Sequence, residues 1–182
     1  MPRALPLAAG AAALLLAACQ SNTPQRLTAA DSTALVSVRT DFAAAWNKGD
    51  VSALVRLYTG DATYLPADHP SVVGTDALRS YYDTVLGTPT RPKLDVPAGF
   101  FTGRQDMAMA SGAYTVTPAA PAAPAKGAAP AAPAPLTGKY LLVLMRQADG
   151  SWKIRFDASS LDAPPAPPAP AAKPTSRRRG RR

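Results

Sequence analysis

The sequence predicts an α+β domain, with helices first and a run of strands after them. Three observations carry this. Apolar residues recur at helical spacing through Leu27 to Asn47, Val51 to Tyr58 and Asp76 to Leu86. Strand segments follow from Lys93 onward. The last two flank ADGS, residues 148–151, whose Asp-Gly pair signals a hairpin.

The first helix lacks Pro and Gly, and Leu35, Val38, Phe42 and Trp46 make one apolar stripe along it. Asp31 or Thr28 suits its start, and Gly49 ends it. Asp50 then suits the N-cap of a shorter helix, VSALVRLY, with Val51, Leu54, Val55 and Tyr58 facing inward. DATYL, residues 61–65, is a strand, and the Pro-containing loop after it cannot continue a ladder. A third helix at Asp76 to Leu86 offers Ala77, Leu78, Tyr81, Tyr82 and Val85 for burial. The later strands span Lys93 to Thr102, Met107 to Thr117, Gly138 to Gln147 and Ser151 to Ala158.

At 182 residues the chain holds one modest domain plus extensions, with the domain at 27–162. Pro118 to Pro135 is a Pro/Ala-rich insertion in a hairpin, expected to be disordered, and Ala163 to Arg182 is a Pro-rich basic tail of the same kind. The formal charge is +8, yet Leu27 to Asp162 holds equal numbers of basic and acidic residues. The excess lies mostly in TSRRRGRR, so a basic surface does not describe the domain. Every acidic residue is Asp.

Residues 1–18 form a short apolar run after one Arg, too short to span a bilayer as a mature helix. Leu16-Ala17-Ala18-Cys19 matches a bacterial lipobox, in which small residues fit the peptidase and the Cys thiol accepts a diacylglyceryl group. The sequence therefore predicts a lipoprotein signal peptide at 1–18, lipidation at Cys19 and a polar tether at 19–26. Cys19 is the only cysteine, so no disulfide is available. The expected location is the bacterial cell envelope, lipid-anchored. Gln20 after the cysteine favours the outer membrane, facing the periplasm, over the inner. Arg177, Arg178, Arg179, Arg181 and Arg182 suit an anionic envelope polymer or lipid headgroups, or are simply a solubilising end. Export argues against nucleic acid.

AAWNKGDVSALVRLYTGDATYLP, VVGTDALRSYYDTVL and YLLVLMRQADGSWKIRFDAS together resemble the nuclear transport factor 2-like superfamily, most closely its SnoaL-like and ketosteroid-isomerase-like domains. The resemblance covers nearly all of Leu27 to Leu161. It implies a cone: a curved antiparallel sheet wrapped round three N-terminal helices, with a pocket at the wide end. It implies no particular activity, because the superfamily holds isomerases, cyclases, dehydratases and proteins without chemistry. Convex-sheet dimers are common in it, and Trp152, Ile154 and Phe156 would suit such a homodimer.

Ketosteroid-isomerase-like enzymes use an Asp base, a Tyr and a protonated Asp. The resemblance puts these positions on Pro66, Phe42 and Leu142, none of which transfers a proton or donates a side-chain hydrogen bond. Asp68 and His69 are the alternative acid–base candidates, or exposed rim; no third ligand at useful spacing makes them a metal site. In WKIRFDAS, Trp152, Ile154 and Phe156 alternate with Lys153, Arg155 and Asp157, so Arg155 and Asp157 are expected to share one face. The resemblance points that face into the cone beside Tyr140 and Leu142, as a polar floor with Asp157 as candidate acid or base. A surface ion pair is the other reading. Trp46, Tyr64, Tyr81, Tyr114 and Tyr140 are wall candidates, or plain core.

Three functions stay open: holding a small apolar ligand or protein partner, turnover of the cyclase, dehydratase or hydrolase kind, and a structural envelope tether. The chain shows no cofactor motif. Holding is preferred. Turnover requires a solvent-connected cavity with one carboxylate of raised pKa, and an ionisable trio converging at the bottom of the cone would overturn the preference.

Overall fold

A computed structural model describes residues 26–88, 91–119 and 134–162. The signal segment, Cys19, the tether before residue 26, residues 120–133 of the insertion and the tail from 163, with its arginines, lie outside the described residues.

Three helices come first: α1 (Ala29–Lys48), α2 (Val51–Arg56) and α3 (Thr75–Leu86). The strands are β1 (Tyr58–Leu65), β2 (Val72–Val73), β3 (Lys93–Asp95), β4 (Phe100–Gly103), β5 (Met107–Thr117), β6 (Leu136–Arg146) and β7 (Trp152–Leu161). The α+β class is as expected. The helices begin and end where local chemistry dictates. Thr28 caps α1 in a reciprocal box with Asp31. Gly49 ends it at φ 70, a left-handed conformation that favours glycine. Asp50 then caps α2 by accepting from the Ala53 N–H at 2.8 Å.

The seven strands form one curved sheet in the order β2-β1-β7-β6-β5-β3, with β4 also on β5. The sheet is antiparallel except that β1 runs parallel to β7. No hairpin can make a parallel neighbour, so this pair is closed by all the intervening chain. The expected single strand Lys93 to Thr102 is two strands, β3 and β4, along the same edge of β5. Pro97 lacks the N–H a ladder needs. At Gly99 an added Cβ would come within 2.4 Å of the Tyr140 hydroxyl and 2.5 Å of the Ser111 carbonyl.

A second departure re-aims β7. Leu144 pairs with Ile154, but the adjacent Val143 pairs with Phe156, so Arg155 is an extra, bulged residue. The alternation changes phase there. Trp152 and Ile154 are buried in the core, Phe156 is 43 % exposed, and Asp157 is buried again. The expected outward set Trp152, Ile154 and Phe156 therefore does not exist as one face; only Phe156 is outside. Ala77 is also exposed, whereas Leu78, Tyr82 and Leu86 make the buried stripe of α3.

The core lies between the helices and the inner sheet face, around Leu54, Tyr58, Leu78, Tyr82, Leu144 and Ile154. Next to it, Asp31 receives Arg146 as an ion pair and the Trp152 indole N–H at 3.4 Å. This pins the start of α1 to the β6–β7 hairpin. Among the described residues no helix is long and apolar enough to cross a membrane.

Candidate functional site

Helices α1 and α3 and the inner face of the sheet enclose a cavity of about 280 Å³. That is near the lower end for small-molecule sites, roughly 300 Å³. Phe42 and Trp46 stand one turn apart on α1, so both reach it from one helix face. Their rings stack at 6.3 Å, and the Trp46 indole N–H donates to the Pro92 carbonyl at 3.0 Å. The Asn47 side chain bonds both the N–H and the carbonyl of Leu94, fixing β3 against α1. Tyr64 and Tyr81 meet edge to face at 5.3 Å on the β1–α3 side.

The sheet contributes alternate residues, as its period of two requires. Leu142 lies opposite Asp157, and Tyr140 opposite Ser159. Tyr114 and Tyr140 each lie over a glycine on the neighbouring strand: a Cβ on Gly138 would meet the Tyr114 ring at 2.5 Å, and one on Gly112 the Tyr140 hydroxyl at 2.8 Å. The Tyr114 hydroxyl donates to the Ser160 carbonyl at 3.2 Å.

Asp157 is the cavity's buried acid, 5 % exposed. Its Oδ2 accepts from the Tyr58 hydroxyl at 2.6 Å, and the Tyr58 and Tyr82 hydroxyls are 2.7 Å apart. Burial pushes the Asp157 carboxyl up to about 6, although the Tyr58 hydrogen bond pulls the other way. Burial, reinforced by the Asp157 charge, raises Tyr58 and Tyr82 well above the ordinary phenol value. Tyr64 is raised by the same two causes. Asp157, Tyr58 and Tyr82 form one buried hydrogen-bonded chain, but Asp157 alone of the three lines the cavity, so the trio does not converge in the lumen.

Residues 39–153 match the model of the SnoaL-like domain. The chain belongs to this family. Among solved structures, the SnoaL-like domain is similar to a ketosteroid isomerase-like protein from Erwinia carotovora atroseptica, at 24% identity and TM-score 0.55, covering 72% of this chain and 96% of that one. It is similar to a nuclear transport factor 2-like protein of unknown function from Pseudomonas putida, at 13% identity and TM-score 0.59, covering 74% and 88%. It is also similar to a putative aromatic ring hydroxylase from Novosphingobium aromaticivorans, at 17% identity and TM-score 0.61, covering 76% and 93%. These likenesses show the fold. No protein with curated annotation matches the chain.

Within the SnoaL-like domain, Trp46, Tyr64, Tyr81, Tyr114, Tyr140 and Leu142 come together with Asp157 around the cavity. Pro66, Phe42 and Leu142, the positions the isomerase pattern assigns to proton chemistry, also line it. Arg155 does not. The bulge turns it outward, where its Nε lies 3.2 Å from Asp61 and its guanidinium sits 4.4 Å over the Phe156 ring. The expected Arg155–Asp157 polar floor is thus corrected to Asp157 with Ser159. Asp68 is exposed at the rim. His69 is exposed and is not part of the lining; its Nδ1–H donates to the Pro70 carbonyl at 2.8 Å, and its ring packs edge-on to Tyr81. Among the described residues no cluster of His, Cys, Asp or Glu suits a metal ion.

Three contributors are not evident from the sequence pattern. Periodicity marks Tyr58 and Tyr82 only for burial, but a buried phenol needs a partner, which here is Asp157 for Tyr58 and Tyr58 for Tyr82. Arg39, on the Phe42 side of α1, also lines the cavity. Its signal was a charged residue one turn from Phe42, beside the apolar stripe.

Proposed function

We propose that this SnoaL-like domain holds a small, largely apolar molecule in its cavity, with Asp157 as the group that meets the ligand's polar atom. The observation that carries this is the aromatic-walled cavity of about 280 Å³ with one buried carboxyl at its base. Apolar walls supply affinity through burial, and one or two convergent polar groups fix orientation. At about 6, Asp157 donates a hydrogen bond in its acid form and accepts one when ionised.

The setting we propose is the bacterial cell envelope, with the chain anchored through lipid on Cys19 and facing the periplasm from the outer membrane. Support comes from the lipobox and Gln20. The arginine tail would then touch anionic envelope polymer or headgroups. A homodimer through the outer sheet face is part of the same proposal. It is supported by exposed Phe156, Leu141 and Met109 rather than by Trp152 and Ile154.

A second reading is turnover, with Asp157 as the single acid–base group. Specific observations favour it: the rim residue Asp68 is exposed, so the cavity meets solvent, and Asp157 has a raised pKa. Holding is preferred because Tyr58 and Tyr82 are engaged with Asp157 and each other, away from the lumen. Native mass spectrometry of the detergent-extracted protein tests the proposal. The expected result is a co-purified small molecule, read together with the subunit count. A ligand retained by Asp157→Asn supports holding, whereas recovery of a chemically altered ligand only from the native protein supports turnover.

A further inference from the structure

Among the described residues, Arg39 is a cation without a neutralising carboxylate. Its Nε is buried and unpartnered, and among the described residues it forms no hydrogen bond or ion pair. Two other guanidiniums carry a buried, unpaired N–H, but each has a carboxylate: Arg146 pairs with Asp31, and Arg155 with Asp61. All 12 acidic side chains lie in the described residues, so no Asp elsewhere in the chain is available to Arg39.

The place it occupies matters as much. Arg39 lines the main cavity, and it also lines a pocket of about 10 Å³ with Leu35, Phe101 and Leu144. Its stem therefore packs between α1 and the sheet on apolar surface. The buried Nε lacks the hydration it would have in water, and an incoming acceptor restores a partner to it. Asp157 lines the same cavity without pairing to Arg39. The wall thus presents a cation and a buried carboxyl that do not pair with each other.

From this unpaired cation on the cavity wall, we propose that the ligand is a small aromatic or alicyclic carboxylate whose anionic head is received by Arg39. The inference rests on the small-molecule reading above and names the ligand class. Arg39's planar fork matches the two oxygens of a carboxylate. The ring lies among Phe42, Trp46, Tyr81 and Val85, and a hydroxyl or carbonyl at its far side reaches Asp157. The volume, near the lower end for small-molecule sites, suits a small ligand, such as one ring with a short acidic arm.

Phenylacetate and its neutral counterpart phenylacetamide test this on the full chain, with binding followed through intrinsic tryptophan fluorescence. The native protein is expected to bind the acid about tenfold or more tightly than the amide. Arg39→Met is expected to erase that preference and leave amide binding in place. The unliganded variant is expected to melt at or above the native temperature, because the unpaired guanidinium is gone. Equal binding of both probes by the native protein overturns the carboxylate inference and leaves the cavity reading standing. Binding of neither overturns both. A preference that survives Arg39→Met puts the anion elsewhere and overturns the role of Arg39. If Arg39→Met does not fold, Arg39→Lys, which keeps the charge without the fork, is expected to reduce the preference; an unchanged preference then overturns the proposal.

Discussion

Replacing Asp157 by Asn tests whether its carboxyl is held at the expense of stability. A raised folded pKa means that the folded chain binds this proton more tightly than the unfolded chain does. Below about pH 4 both states are protonated, and Asp157 carries no penalty. As pH rises toward about 6, the unfolded chain releases the proton first, so stability falls across that window. Above it the penalty is constant. The difference between about 6 and 3.8 is about 2.2 units, which at 1.36 kcal/mol each is ~3 kcal/mol. Asn keeps an oxygen for the Tyr58 hydroxyl and has no charge to desolvate. Asp157→Asn should therefore match the native protein at acid pH and exceed it by up to ~3 kcal/mol at neutral pH, a melting-temperature gain of roughly 10 °C. Urea melts of both proteins from about pH 4 to 8 measure the difference, and the other titrating groups cancel between them. Parallel stability curves for the two proteins would refute the buried, proton-retaining carboxyl.

Asp31→Ala removes the α1 capping box and strands Arg146 and the Trp152 indole, so it should destabilise by about 3 kcal/mol or more in urea melts; a loss under ~1 kcal/mol would mean the buried pair is not formed. Tyr58→Phe leaves Asp157 Oδ2 and the Tyr82 hydroxyl without their partner and should cost roughly 1–3 kcal/mol. It should also move the Asp157 titration to higher pH, because Tyr58 stabilises the charged form; carboxyl NMR titration reads this, and a downward move would contradict the hydrogen bond. Arg155→Ala should cost under ~1 kcal/mol and leave phenylacetate affinity unchanged, since its partner Asp61 is largely exposed. Lost affinity in that variant would return Arg155 to the inner face.

Much of the fold was legible because its signals are local. Thr28 with Asp31, Gly49 with Asp50, and the Asp-Gly hairpin each act within a few residues, and the helices and the last turn fall where they dictate. Asp157 and the cavity tyrosines were legible as inward candidates from strand and helix periodicity joined to the family pattern. The same periodicity misassigned Arg155, Trp152 and Ile154, because one bulged residue puts the side chains before it half a period out of phase with those after it. Nothing in WKIRFDAS marks that bulge.

The sequence by itself determined the element types, the caps, the apolar stripe of α1 and the acid on the last strand. Tertiary structure decided the parallel β1–β7 pair, the phase of β7, the Tyr82–Tyr58–Asp157 chain and the solitude of Arg39. The physical reason is range. Helix stripes and turns are settled by neighbours a few positions apart, whereas the burial that raises a carboxyl, or leaves a guanidinium without a partner, depends on which distant segments close over it.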